Sequence, residues 1–295
     1  MASAKIWVFD VDHGFMAFIR APSGATLAID CGLAADFSPT VYIRDKELEE
    51  WERCAECPIS KLVLTHPHDD HIEDIERLAA YLKPHRITRQ EYDWEEVEAQ
   101  SQGECQNLHQ WEQLLEHYSF PADDPDWGPM KLTHWCLTVD EAKQLNQSKF
   151  VNNSSIISIV EIGSFKMTFP GDIEKDGWLA KLQDPDFCKA LSGTDVFVTS
   201  HHGHSSGYVP EIYEAMGKPW FNLSSIHHGD LSIESAYSTP DSARGVECNG
   251  EPRYSFTTRK DHSCFVKVDE FGRWSFGFYD LGANVPRPTS YGRGW

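Results

Sequence analysis

Three short runs dominated by hydrophobic residues open the chain, at residues 5–11, 15–21 and 25–30. They are rich in Ile, Val, Phe and Ala, and the second and third are separated by Pro22-Ser23-Gly24, whose residue types favour a tight turn. The pattern predicts an antiparallel meander of three strands at the N-terminus.

A further hydrophobic run, residues 61–65, leads straight into a cluster of histidines and aspartates. Beyond the cluster, apolar residues recur at helical spacing from Ile72 to Leu82, and Pro84 ends the pattern. We therefore expect the cluster to lie on a loop that joins a buried strand to a helix.

The periodic pattern of hydrophobic and polar residues weakens between about residues 86 and 150. This segment is acidic, is interrupted by prolines and contains the tryptophans Trp94, Trp111, Trp127 and Trp135. We interpret it as an insertion near the binding cleft. Its tryptophans either fill a core or form an aromatic wall that binds bases or choline-like cations.

The second half of the chain again places polar residues at predicted strand ends. A hairpin over residues 155–169 ends in Pro170-Gly171-Asp172, and a buried strand at 195–199 precedes Ser200-His201-His202-Gly203-His204. One more strand, at 220–223, precedes His227 and His228, and the tail reads as a closing strand and hairpin. Strands followed by helices in two successive halves favour two packed β-sheets flanked by helices.

Length and composition are compatible with one large domain. The chain has 295 residues, of which 40% are hydrophobic and 24% charged, so it can bury a substantial core. We predict a single domain over residues 1–295, with the acidic, Trp-containing segment at about 86–150 as an insertion.

The formal net charge of −20 disfavours a broad nucleic-acid-binding surface. Bound divalent cations can nevertheless invert the potential in a cleft lined by carboxylates, so a metal-dependent phosphodiesterase stays compatible with this charge. The N-terminal residues lack the apolar stretch of a leader, and no run approaches the ~18 apolar residues of a membrane span. We expect a cytoplasmic protein without membrane contact, with an acidic surface available to a protein partner.

The strongest chemical signal is His66-Pro67-His68-Asp69-Asp70-His71. Imidazole nitrogens and carboxylate oxygens are good ligands for zinc, manganese and iron. His66 and His68, two apart on an extended loop, can turn towards one cation, and Asp70 and His71 can hold a second. Two such cations make a hydroxide available near neutral pH, which indicates a hydrolase that uses a metal-bound hydroxide.

This loop resembles the His-x-His-x-Asp-His signature of the metallo-β-lactamase superfamily. Asp30-Cys31-Gly32 and Gly171-Asp172 match the superfamily's Asp-x-Gly and Gly-Asp strand ends in the same order along the chain. The resemblance implies an α/β fold, namely a four-layer αββα sandwich. It also implies two divalent metal ions, for which zinc is the first candidate and manganese the alternative. It implies metal ligands at the positions His66, His68, Asp70, His71 and Asp172.

Within that superfamily, the chain is similar to the hydrolase domain of the bacterial competence DNA-uptake channel and its soluble relatives. The shared run includes Asn152-Asn153-Ser154-Ser155 and the segment that ends in His-His-Gly. The usual Asp-Val-Gly-Gln-Gly-Asp opening is replaced by Asp10-Val11-Asp12-His13-Gly14-Phe15. An asparagine stands where a third histidine ligand is usual, so Asn153 is a candidate for metal or substrate.

Roles at the late histidines are open at this point. We assign His201 as the ligand and His202 as a catalytic residue, a general acid or a hydrogen-bond donor to the leaving group, and Asp70 as both ligand and catalytic residue. His204 is a candidate substrate contact and His228 a reserve candidate for the last ligand.

Three functions are compatible with these residues. The first is a phosphodiesterase or nuclease that acts on a small phosphodiester or a short or single-stranded nucleic acid, since the chain has no dense basic run for long duplexes. The second is hydrolysis of a lactam, lactone or thioester, because fold does not decide substrate. The third is a metal-binding partner or sensor protein with weak or no catalysis. The oligomeric state is not indicated.

Overall fold

The structure is a computed structural model that describes residues 3–101, 107–118, 123–226, 233–281 and 289–291. Its strands are β1 (Ser3–Val8), β2 (Ala17–Arg20), β3 (Thr26–Ile29), β4 (Lys61–Val63), β5 (Ile87–Thr88), β6 (Met130–Trp135), β7 (Ile157–Ile162), β8 (Phe165–Phe169), β9 (Val196–Val198), β10 (Phe221–Ser224), β11 (Val246–Cys248), β12 (Glu251–Arg253), β13 (Ser255–Thr257), β14 (Ser263–Asp269), β15 (Trp274–Tyr279) and β16 (Thr289–Tyr291).

The α-helices of these segments are α1 (Pro39–Tyr42), α2 (Glu50–Arg53), α3 (Asp69–Ile72), α4 (Ile75–Tyr81), α5 (Trp94–Ser101), α6 (Leu108–Leu115), α7 (Val139–Leu145), α8 (Phe150–Asn153), α9 (Lys175–Lys181), α10 (Pro185–Leu191), α11 (Pro210–Met216) and α12 (Thr258–Asp261). Shorter 3-10 or π turns occupy Ile43–Glu47, Gln147–Lys149, Ser200–Gly203, Ser205–Gly207 and Ser235–Ser238. None of the helices in the described part of the chain is long and apolar enough to cross a membrane.

Two sheets form the body of the molecule. In the described residues, the first has the strand order β16-β15-β14-β1-β2-β3-β4-β5 and the second has the order β13-β10-β9-β8-β7-β6, while β11 and β12 form a separate ribbon. The antiparallel pairings β1–β2 and β2–β3 confirm the predicted N-terminal meander, and the antiparallel β7–β8 pair confirms the predicted hairpin.

Side chains alternate between the two faces of each sheet, as the pleat of a strand requires. On β1, Ile6 and Val8 point into a core shared by both sheets, whereas Trp7 belongs to the cluster under the helices of the N-terminal half. On β7, Val160 joins the shared core and Ile159 joins a third cluster with the helices of the C-terminal half. The layers therefore run helix, sheet, sheet, helix, and the predicted αββα sandwich is confirmed.

The segment at about 86–150 lies partly within these layers. Strand β6 pairs with β7 at the edge of the second sheet, and Trp111 on α6 is only 2% exposed. Trp94 packs against the same cluster as Trp111, while Trp127 and Trp135 pack against the two other clusters. The four tryptophans thus contribute to three separate cores and do not share one wall. The description of the chain as a single domain with an insertion stays a prediction.

The parallel strands place the candidate site residues at one side of the sandwich. β3 pairs in parallel with β4, and β8, β9 and β10 are mutually parallel neighbours. Because parallel strands end at the same edge of a sheet, the residues that follow them are brought together. The histidine loop follows β4, Asp172 follows β8 and the His201-His202 pair follows β9.

Candidate metal centre

Asp30, directly after β3, anchors the histidine loop. The side chain is inaccessible to solvent, and its Oδ1 accepts a hydrogen bond of 2.7 Å from the backbone N–H of Thr65. Its Oδ2 accepts one of 2.7 Å from the hydroxyl of Thr65 and lies 2.7 Å from Nδ1 of His71. Such a contact at Nδ1 orients the ring and leaves Nε2 facing away from Asp30. Sequence reasoning noted Asp30 only as a motif match and missed this positioning contact.

Asp172 is delivered by a tight turn after β8. Gly171 has a φ of +61°, a left-handed conformation that favours glycine, and a Cβ there would lie 2.9 Å from the Cβ atoms of Ser155 and Thr65. The backbone N–H of Asp172 then donates to the hydroxyl of Ser155 over 3.0 Å. These contacts hold the Asp172 side chain, which is 6% exposed, beside the histidine loop.

Asp70, His71, Asp172 and His202 converge on one point. Each offers one ligand atom, and the four atoms lie within 4.8 Å of one another. Nε2 of His202 is 3.0 Å from Oδ2 of Asp70 and 3.2 Å from Oδ2 of Asp172. Nε2 of His71 is 3.3 Å from Oδ1 of Asp172 and 3.4 Å from Nε2 of His202. We call these four residues the ligand group.

The ligand group suits a divalent cation. It combines two imidazole nitrogens with two carboxylates, the donor types that zinc, manganese and iron accept. His71 and Asp172 are almost fully buried, and so is His202, so a cation would be held by protein atoms rather than by a loose surface cluster. The residues present therefore fit a metal ion, and its identity is not determined by them.

Attraction between opposite charges in the ligand group shifts the pKa values of its side chains strongly. Burial alone would raise the pKa of Asp172, but attraction to His202 and His71 outweighs it and moves that pKa well below its ordinary value. Burial alone would lower the pKa of His202, but Asp172 and Asp70 outweigh it and raise the pKa to about 10. A cation bound among these residues would balance the two carboxylates in place of protons, because an imidazole must give up its proton to bind a metal.

The neighbouring histidines His201 and His202 face different partners. Both have left-handed backbone angles, with φ of 49° and 55°, which is rare for residues other than glycine. Nδ1 of His202 donates to the carbonyl of Ser225 over 3.0 Å, so its Nε2 can act as a ligand. Nδ1 of His201 is 2.7 Å from the hydroxyl of Ser206, and its Nε2 is 3.8 Å from Oδ2 of Asp172. The structure thus places His202, and not His201, in the ligand group.

His66 and His68 form a second pair beside the ligand group. Nε2 of His66 is 3.1 Å from Nδ1 of His68, and the ring of His66 is 4.2 Å from the ring of His71, centroid to centroid. Burial lowers the pKa of His66 well below its ordinary value, and the nearby His71 adds to the effect. A neutral imidazole is the form that binds metal, so this pair is suited to a second cation.

The remaining candidates lie in different places. Asn153 is fully buried, and its Oδ1 accepts a hydrogen bond of 3.0 Å from the backbone N–H of Glu174, the residue before α9. The ring of His204 lies 5.4 Å from the ring of His201, and His204 is not a member of the ligand group. His228 lies outside the described residues.

His13 was not predicted as a site residue. Its Nε2 lies 3.5 Å from Oδ2 of Asp70, and its ring is 4.9 Å from that of His202. The signal in the sequence was the departure from the usual competence-type opening at this position.

Among the comparisons with known proteins, one family model matches part of the chain. A family model described as metallo-beta-lactamase superfamily matches residues 10–101, which include Asp30 and the whole histidine loop. No curated protein matches the chain in sequence. The family match and the layered α/β architecture are consistent with the metallo-β-lactamase fold. The competence-type branch within the superfamily stays a prediction.

Among solved structures, 86 chains match. The metallo-beta-lactamase fold protein YhfI from Bacillus subtilis is 14% identical over 78% of this chain and 89% of its own, with a TM-score of 0.40. A diphosphatase of the PhnP family is 14% identical over 79% and 90%, with a TM-score of 0.42. CmlA, a diiron beta-hydroxylase from Streptomyces venezuelae, is 14% identical over 75% and 44%, with a TM-score of 0.44. None of these similarities bears on the substrate of this chain.

Proposed function

We propose that the chain is a metal-dependent hydrolase and that its ligand group binds the catalytic cation. The observation that carries the proposal is the convergence of Asp70, His71, Asp172 and His202 within 4.8 Å, from three separate strand ends. A cation bound there would polarise a substrate oxygen and lower the pKa of a water molecule, which is the chemistry that hydrolysis requires. His66 and His68 would hold a second cation.

Residues around the ligand group orient its two imidazoles and contact the substrate. Asp30 fixes His71 through the 2.7 Å contact with Nδ1, and the Ser225 carbonyl fixes His202 in the same way. These contacts preorganise both imidazoles, so little freedom is lost when a ligand binds. His201 is 26% exposed in its side chain and lies beside Asp172, so we assign it to contact with the substrate rather than to the metal.

For the substrate, we propose a small phosphodiester or a short or single-stranded nucleic acid. The competence-type sequence pattern around the histidine loop supports phosphodiester chemistry. The net charge of −20 disfavours a long duplex, which would need a basic stripe along its backbone. Two cations suit phosphoryl transfer, because they stabilise the attacking and the leaving oxygen of an in-line displacement.

The test is turnover with zinc or manganese supplied. We expect cleavage of bis-p-nitrophenyl phosphate or of a single-stranded oligonucleotide by the wild-type protein, and loss of that activity in Asp172→Ala. Asp126→Ala, a change in an exposed residue of the loop before β6, serves as the matched aspartate control and should retain activity. Hydrolysis of a lactam, lactone or thioester without any phosphodiester cleavage would overturn the substrate assignment. Bound metal without any turnover would favour a binding or sensing protein.

A further inference from the structure

His13 approaches the ligand group from the loop between β1 and β2. Its Nε2 is 3.5 Å from Oδ2 of Asp70, the oxygen that also lies 3.0 Å from Nε2 of His202. The side chain of His13 is 52% exposed, whereas that of His202 is 3% exposed. His13 therefore lies at the solvent side of the four buried or partly buried donors.

Backbone contacts fix this loop against the histidine loop. The N–H of Phe15 donates to the carbonyl of Asp70 over 3.1 Å, and the hydroxyl of Ser225 donates to the carbonyl of Gly14 over 2.7 Å. A Cβ on Gly14 would lie 2.2 Å from the Asp70 carbonyl oxygen, so no larger residue fits there. The backbone around His13 is thus held in place by hydrogen bonds to the histidine loop and to Ser225. The distance between His13 and Asp70 therefore depends on this backbone as well as on the rotamer of His13.

The residues on either side of His13 have unusual backbone angles. Asp12 has a φ of +58° and Gly14 a φ of +126°. A left-handed conformation at a residue other than glycine costs free energy, and such strain is concentrated at functional sites. The loop adopts this costly shape while it holds an imidazole beside the ligand group.

We propose that His13 is an additional metal ligand, which binds through Nε2 from the solvent side. This inference rests on the proposed function. Donors at about 2.1 Å from a shared cation lie roughly 3 to 4 Å apart. The contact of 3.5 Å between His13 and Asp70 falls in that range, as do the contacts of 3.0 to 3.8 Å between members of the ligand group. A six-coordinate cation such as manganese would keep one position for water beside these five protein donors.

Cobalt(II) binding tests this assignment without an activity assay. Wild-type protein and His13→Ala are titrated with cobalt(II), and both the affinity and the visible absorption of the bound ion are recorded. We expect His13→Ala to bind cobalt about tenfold more weakly or worse, since losing even an outer-shell partner costs 10- to 100-fold. The visible bands should also change in shape and intensity, because the ion loses one nitrogen donor. His13→Gln keeps a polar side chain without an imidazole and should behave like His13→Ala.

His109→Ala provides the matched control, because His109 is a histidine with a 75% exposed side chain on α6. It should bind cobalt as the wild type does. Equal affinity and an identical spectrum in wild type, His13→Ala and His13→Gln would overturn the role of His13 while leaving the ligand group intact. A wild-type protein that binds no cobalt at all would instead overturn the proposed function, and this inference with it.

Discussion

Nδ1 of His71 lies 2.7 Å from Oδ2 of Asp30, and the two side chains are 1% and 0% exposed. Asp30 directly follows β3 and His71 lies on α3, which follows β4, so this contact joins the ends of two neighbouring parallel strands beside the ligand group. A carboxylate behind a metal-binding imidazole fixes the ring and increases its basicity.

The first prediction is that Asp30→Asn weakens metal binding by about 10- to 100-fold. Asparagine has nearly the same size and tolerates the φ of +57° at this position, but it lacks the negative charge. Competition with a chromophoric chelator would measure the affinity, and circular dichroism would show that the fold is retained. A folded variant with wild-type affinity would show that Asp30 does not act through His71.

A second prediction concerns pH. Burial lowers the pKa of His202, but Asp172 and Asp70 outweigh this and raise it to about 10 in the metal-free protein. At neutral pH a cation must therefore displace a proton from His202, so the metal affinity should rise as the pH is raised from about 6 to about 9. The expected slope is up to about tenfold per pH unit for each proton released.

Calorimetric titration of zinc in buffers with different ionisation enthalpies would measure these protons directly. His202→Ala should release fewer protons for each metal bound than the wild type. Affinity that is flat or falls with pH would contradict the raised pKa of His202 on which this prediction rests.

A third prediction concerns the turn before Asp172. Gly171→Ala combines a φ of +61° with contacts of 2.9 Å to Ser155 and Thr65, and we expect it to lower the free energy of unfolding by about 2 to 4 kcal/mol. Gly193→Ala is the matched control, because Gly193 has a φ of +80° with no atom within 4 Å of the added Cβ. Its cost should be limited to the backbone strain, about 1 kcal/mol.

Urea unfolding of both variants would give the two free energies. Equal losses would show that the space around Gly171 is not restrictive.

The sequence predicted the location of a candidate site residue where that residue directly follows a recognisable strand. The histidine loop is contiguous and follows a buried strand, so its location at a strand end could be predicted, as could the meander and the hairpin before Asp172. The different surroundings of His201 and His202 could not be predicted, because two adjacent left-handed residues turn the rings to different partners and this backbone conformation leaves no signature in residue type. His13 was missed for another reason: its approach to Asp70 is a contact between two loops far apart in the chain.

Metal content tests the central claim most directly. Wild-type protein, His202→Ala and His201→Ala would be purified without chelator, reconstituted with zinc or manganese, desalted and analysed by elemental mass spectrometry. We predict about one to two metal ions per chain in the wild type, close to that in His201→Ala, and at least one fewer in His202→Ala. A wild-type protein without metal, or His202→Ala that retains all its metal while His201→Ala loses it, would contradict the assignment of the ligand group.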